Sequence, residues 1–166
     1  MILKQTCAAG VVLILSALPG LAHGADRGKT TVPLSGKTVS VDYGRPNLNG
    51  RDMLGKAEIG KPWRLGADAP TTLTSDVDLA FGSLAVPKGS YVLTATRTAD
   101  AAWAINITRP GKDNAKAEKV GDVPLTIVTL PDSVEQLTID LKAEAPGASL
   151  TVSWGKTALK TNFTAK

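Results

Sequence analysis

From Lys37 onward, apolar residues recur at every second position. Val39, Val41 and Tyr43 alternate with Thr38, Ser40 and Asp42, and Leu73, Val77, Leu79 and Phe81 fall on one face of the stretch after Thr71. Successive side chains of an extended chain point to opposite faces, so this period of two predicts strands buried on one side. Further strands are predicted at residues 103–107, 123–130, 137–141, 150–154 and 159–163, with Trp103, Trp154 and Tyr43 turned into the core. Val86-Pro87-Lys88-Gly89 has Pro at the second and Gly at the fourth place of a type I turn, which predicts a hairpin joining residues 81–86 to 91–95. Arg109-Pro110-Gly111 and Pro146-Gly147 supply further turns. Only residues 52–58 and 114–119 could form short helical turns, and no helical stripe is sustained anywhere. Short strands with turn signals every 8–12 residues or so predict an all-β fold, an antiparallel β-sandwich.

The two ends read differently. Lys4 and the free amine precede a mostly apolar run over residues 8–22, and Ala22-His23-Gly24 puts small residues at −3 and −1 of a cut before Ala25. Residues 1–24 therefore read as a signal peptide, directing the protein to the periplasm or outside the cell. An uncleaved anchor would want about 18 or more unbroken apolar residues, and no other segment is apolar enough for a membrane span. Residues 25–36, polar and broken by Pro33 and Gly36, read as an N-terminal tether, and residues 37–166 as a single domain. The only Cys and the only His fall within the first 24 residues. A chain cut before Ala25 keeps neither, which excludes disulfides, thiolate or imidazole catalysis and Cys/His metal centres. The 166 residues carry 19 Lys+Arg against 15 Asp+Glu, a net +4. These charges are scattered, without the basic–aromatic platform that nucleic acid requires.

One stretch departs from plain alternation. It reads Val-Asp-Tyr-Gly-Arg-Pro over residues 41–46, then Gly50-Arg51, then Trp63-Arg64-Leu65-Gly66-Ala67-Asp68, a long irregular Gly/Pro/Arg-rich connection after the first predicted strand. This wording resembles exported bacterial proteins of domain-of-unknown-function family 2911, and the similarity continues through Leu84-Ala85-Val86-Pro87-Lys88-Gly89-Ser90-Tyr91, Trp103, Asn106 and the Trp154 strand. It covers roughly residues 38–163. The sequence departs from the family pattern at Asp68-Ala69, where that pattern has Asn-Glu. The resemblance implies an exported β-rich domain and no established reaction.

Arg45, Arg51 and Arg64 are three of six Arg in the chain, close in sequence to Asp42 and Asp68. Planar guanidinium forks bind carboxylate, sulfate or phosphate in bidentate fashion, so convergence of these groups would make a binding cleft. The same groups could instead fasten a loop whose backbone carbonyls need donors. Trp63 is open to two roles, stacking on a ligand ring or closing the core. With no His or Cys, a hydrolase would rest on paired carboxylates, and Asp42 and Asp68 are the candidate catalytic pair. Asp76 and Asp78 share one strand side but lack the other oxygen ligands of a calcium loop. No nucleophile elbow or phosphate loop is present. The expected function is a non-enzymatic binding or interaction module using Arg45, Arg51, Trp63, Arg64 and Asp68, with no cofactor and no metal. Its partner would be a small anionic ligand, a glycan or an envelope protein. The alternatives are a carboxylate-based hydrolase acting on an envelope or environmental glycan, and a purely structural envelope protein.

Overall fold

The computed structural model describes residues 26–112 and 115–166; the signal peptide expected at residues 1–24 lies outside the described residues. Among the described residues ten strands form: β1 (Arg27–Leu34), β2 (Lys37–Gly44), β3 (Pro62–Trp63), β4 (Thr71–Ser75), β5 (Leu79–Phe81), β6 (Leu84–Val86), β7 (Gly89–Ala99), β8 (Ala102–Arg109), β9 (Glu118–Glu144) and β10 (Gly147–Ala165). All strand pairings are antiparallel, and among the described residues there is no helix. The expected all-β class therefore holds. The hydrogen bonds run through one connected sheet in the order β1-β2-β4-β7-β8-β9-β10-β5-β6, with β3 added to β7.

The shape of this sheet follows from its longest hairpin. β9 pairs with β8 as far as Leu125 and from Thr126 onward with β10, so one strand serves two parts of the sheet. The far edge then returns: the Leu141 N–H of β9 donates to Thr30 Oγ1 of β1 at 3.1 Å. The sheet thus curls over one apolar core. Val39, Leu73, Leu93, Ile105, Val152 and Leu159 are enclosed there, all at 1% exposure or less. Alternation along β2, β7 and β8 puts Val, Leu, Ile and Tyr inside and Ser, Thr, Asn and Asp outside. Tyr43, Trp103 and Trp154 are buried as expected.

Several sequence expectations need correction. Residues 27–34 are not a tether but a strand, because Val32 and Leu34 alternate inward and Ser35-Gly36, at φ 51° and 71°, makes a two-residue hairpin turn into β2. Pro33 is tolerated because β1 ends the strand order, where a missing N–H need not break a central ladder. The irregular connection consequently follows the second strand. The hairpin expected at Val86-Pro87-Lys88-Gly89 is also displaced. β6 pairs with β5 across Gly82-Ser83, with Gly82 at φ 59°, and residues 87–88 carry the chain over to β7, which pairs with β4. Four predicted strands after residue 120 merge into β9 and β10, whose register shifts on either side of Gly155. Residues 53–56 form turns without a helix.

Trp154 closes this core and donates its indole N–H to the Glu135 carbonyl at 3.3 Å. Trp154→Ala is therefore expected to cost about 3–5 kcal/mol, measured as a lower urea midpoint at unchanged slope. A loss below 1 kcal/mol, on the order of a surface substitution, would contradict this packing.

Candidate functional site

Two glycines of the signature let the connection lie against the sheet. A Cβ on Gly44 would stand 2.7 Å from the Ala67 nitrogen and closer still to the Ala67 carbonyl oxygen, and one on Gly66 would stand 2.8 Å from the Gly44 carbonyl oxygen. The backbones at residues 44 and 66–67 are thus in direct contact, which only residues without side chains permit. The turn between them holds Leu65 at φ 56° and Asp68 at φ 60°. Left-handed backbone costs a non-glycine residue roughly 1–2 kcal/mol. Leu65 offsets its share by being fully buried, worth about 1.5–3 kcal/mol for such a side chain. Its carbonyl accepts the buried Thr71 hydroxyl at 2.8 Å.

Trp63 anchors the middle of the connection. β3 places it opposite Ala95 of β7, and its ring stacks on Trp154 at 5.7 Å between centroids and meets Trp103 edge-on at 6.3 Å. Leu54, in the same connection, is buried in the core. Arg97, which the sequence reading did not nominate, ties down the outer loop: Nη1 donates to the carbonyls of Gly55 (3.0 Å) and Ala57 (3.2 Å), and the Arg97 carbonyl accepts the Gly60 N–H at 2.8 Å. On the other flank the Leu48 N–H donates to the Glu135 carbonyl at 2.8 Å and the Leu137 N–H to the Pro46 carbonyl at 3.0 Å. Little of the connection is loose chain.

The nominated residues fall into two groups. Asp42 accepts Nη2 of Arg27, whose Nη1 donates to the Ala69 carbonyl at 3.3 Å. Arg27 therefore straps the 66–69 turn to β2, and it went unnoticed because its segment read as a tether. Arg45 turns to Asp26, at 3.5 Å, with its stem packed over Gly28. Arg64 is exposed and donates to the Asp68 carbonyl at 3.3 Å, inside its own turn. These contacts fasten the base of the connection. Arg51 and half-buried Trp63 instead line one cleft of about 410 Å³, together with the apolar Met53, Ala57 and Pro62. Asp42, Arg45, Arg64 and Asp68 do not border it. Convergence of all three Arg on Asp42 and Asp68 is not what the structure shows.

The cleft's charges are unevenly committed. Asp52 accepts the Gly55 N–H at 2.8 Å and Glu58 pairs with Lys61 at 3.2 Å, while Arg51 spends only Nε, on the Leu48 carbonyl at 3.3 Å. The terminal nitrogens of Arg51 and the ammonium of Lys56 have no ion-pair partner among the described residues. A lining that combines apolar side chains with uncommitted cations suits an anion on an apolar body. No group of three or more His, Cys, Asp or Glu able to hold a metal ion occurs among the described residues.

Asn106 lies elsewhere, on the outer sheet face. Its Oδ1 accepts the hydroxyls of Thr94 (3.2 Å) and Thr96 (2.7 Å), and its Nδ2 donates to Asp122 at 2.7 Å. Hydrogen bonds from Lys119 and then Asn106 hold the Asp122 carboxyl below the usual carboxylate range.

Residues 26–163 match the family described as "Protein of unknown function (DUF2911)", and the chain belongs to that family. Neither the curated proteins nor the solved structures gave a match. The matched span begins at Asp26, so β1 lies inside it.

Gly44→Ala should force the connection away from β2 and cost about 1–3 kcal/mol as an overpacked contact, read as a lowered melting temperature; an unchanged melt would mean the backbones do not touch. Asp122 gives a pH test. A carboxyl depressed by folding adds stability above its unfolded pKa and loses it as pH falls through the lower folded value. On acidification, wild type should lose its stability advantage over Asp122→Asn, and a difference independent of pH would refute this linkage.

Proposed function

We propose that this chain is an exported, non-enzymatic binding module of its family, and that it takes a small anionic ligand with a planar or apolar body in the cleft beside Trp63. The observation carrying this reading is that Arg51, with two uncommitted guanidinium nitrogens, and the partly exposed Trp63 line the same cleft. The volume, about 410 Å³, lies within the few hundred to about 1,000 Å³ usual for small-molecule sites. Trp63 is held on two sides by Trp154 and Trp103, so a ligand meets a ring already in position and little ordering entropy opposes binding. The hydrolase reading has less support, because Asp42 is ion-paired to Arg27 and neither Asp42 nor Asp68 borders this cleft.

Aromatic carboxylates and sulfonates, with 1-anilinonaphthalene-8-sulfonate as fluorescent reporter, test the proposal. Wild type should bind saturably and with one site. Arg51→Ala should weaken binding roughly tenfold or more, since a hydrogen bond to a charged group is worth about 1.5–3 kcal/mol, while the melting temperature stays put. No saturable binding in wild type, or equal binding by Arg51→Ala, would overturn the assignment.

A further inference from the structure

Arg51 borders two clefts. One is the cleft of about 410 Å³ that also takes in Met53 and Trp63; the other, of about 330 Å³, is lined by Leu48, Ser133, Gly155, Lys156 and Thr157 among others. Only Arg51 and its neighbour Asp52 belong to both linings. The first cleft sets apolar side chains beside its charges, whereas the second offers two hydroxyls and a lysine. The Ser133 and Thr157 hydroxyls have no hydrogen-bond partner, and the Lys156 ammonium no ion-pair partner, among the described residues. Together the two linings hold Arg51, Lys56, Lys61 and Lys156 against Asp52 and Glu58, so positive charge prevails.

Arg51 is mounted firmly where the clefts meet. Asn49 at φ 51° and Gly50 at φ 71° make a two-residue turn, closed by the Arg51 N–H on the Leu48 carbonyl at 3.1 Å. Nε of Arg51 donates to the same carbonyl at 3.3 Å. The turn is also tied to β9, because the Glu135 carbonyl accepts the Leu48 N–H at 2.8 Å and the Glu135 carboxylate accepts the Asn49 N–H at 2.9 Å. The base of the guanidinium is thereby fixed, and its two terminal nitrogens are left for a ligand. Asp52 is drawn into its own turn, where its carboxylate accepts the Gly55 N–H at 2.8 Å.

We propose that the two clefts form one elongated site, and that its ligand is a soluble phosphodiester joining an aromatic or apolar group, beside Trp63, to a hydroxyl-bearing alcohol, beside Ser133 and Thr157. This assignment rests on the Trp63 reading and names the ligand of that site. A carboxylate or sulfonate ends the group that carries it, so such a ligand would fill the first cleft and stop at Arg51. A phosphodiester carries its charge internally: one ester bond leads into each cleft, and two unesterified oxygens remain for the guanidinium fork. The two halves, joined through one anion, then bind as a unit and gain from their linkage.

Methyl 1-naphthyl phosphate and glyceryl 1-naphthyl phosphate are the probes, titrated calorimetrically into the full folded protein at moderate ionic strength. Both carry one charge, and only the glyceryl ester is long enough to enter the second cleft. It should bind at one site, about tenfold more tightly than the methyl ester, as a few added hydrogen bonds allow. Ser133→Ala/Lys156→Gln, on exposed side chains, should remove that advantage while sparing the methyl ester and the melting temperature. Arg51→Ala should weaken both esters. In heteronuclear spectra the amides of Ser133 and Lys156 should shift with the glyceryl ester and stay in place with the methyl ester. If the methyl ester binds through Arg51 but the glyceryl ester gains nothing, or keeps its advantage in the double variant, the elongated site is wrong and the Trp63 reading stands. If neither ester binds, both readings fall. Displacement of the glyceryl ester by phosphatidylglycerol vesicles would place the site at a membrane surface and overturn the assignment to a soluble ester.

Discussion

The parallel stack of Trp63 on Trp154 joins the longest irregular segment among the described residues to β10, and most of the local architecture depends on it. Residues 45–61 cross the sheet with almost no regular pairing. What holds them is apolar: Trp63 against Trp154 and Trp103, with Leu54 and Leu65 buried in the core. Burying a Leu yields about 1.5–3 kcal/mol, and an aromatic pair adds about 0.5–1.5 kcal/mol beyond its area. Exposed ion pairs such as Arg27–Asp42 or Lys61–Glu58 contribute on the order of 0.2–1 kcal/mol. The anchors therefore set the position of the connection, and the charges adjust it.

This ranking explains how the polar residues of the signature divide. Once Leu65 is inserted and Gly44 meets Ala67, the turn at residues 66–69 needs donors for its carbonyls, and Arg27 and Arg64 supply them. Arg51 lines the cleft beside Trp63, and of its guanidinium only Nε is bonded, to the Leu48 carbonyl. Fastening, one of the two roles open to this Arg cluster, thus falls to Arg27 and Arg64, and the proposed binding role is left to Arg51.

The all-β class was legible because a period of two survives in β2, β7 and β8, where one face is buried and the other wet. Tyr43, Trp103 and Trp154 could be placed inside for the same reason. β1 was not legible, since only Val32 and Leu34 mark its inner face and Pro33 and Gly36 read as breakers; at an edge strand and in a tight hairpin turn both are permitted. The displaced hairpin has a similar cause, as turn chemistry shows where the chain bends but not which strand it joins next. At the site, residue type was readable but direction was not. Arg45, Arg51 and Arg64 are alike in sequence, and what separates them is the left-handed turn at Leu65 and Asp68, which no local signal announced. Arg97 and Arg27 were missed because their partners are backbone carbonyls or a distant carboxylate more than a dozen residues away.

Native-state hydrogen exchange tests most directly whether the connection is part of the folded core. The amides of Leu48 and Gly60 are bonded to the carbonyls of Glu135 and Arg97, although neither residue belongs to a strand. If the Trp63 stack fastens the connection, these amides should exchange at close to the free energy of global unfolding, together with amides in the centre of β7. Exchange near the rate of an unprotected loop, with β7 still protected, would show that the connection opens independently and would contradict the account.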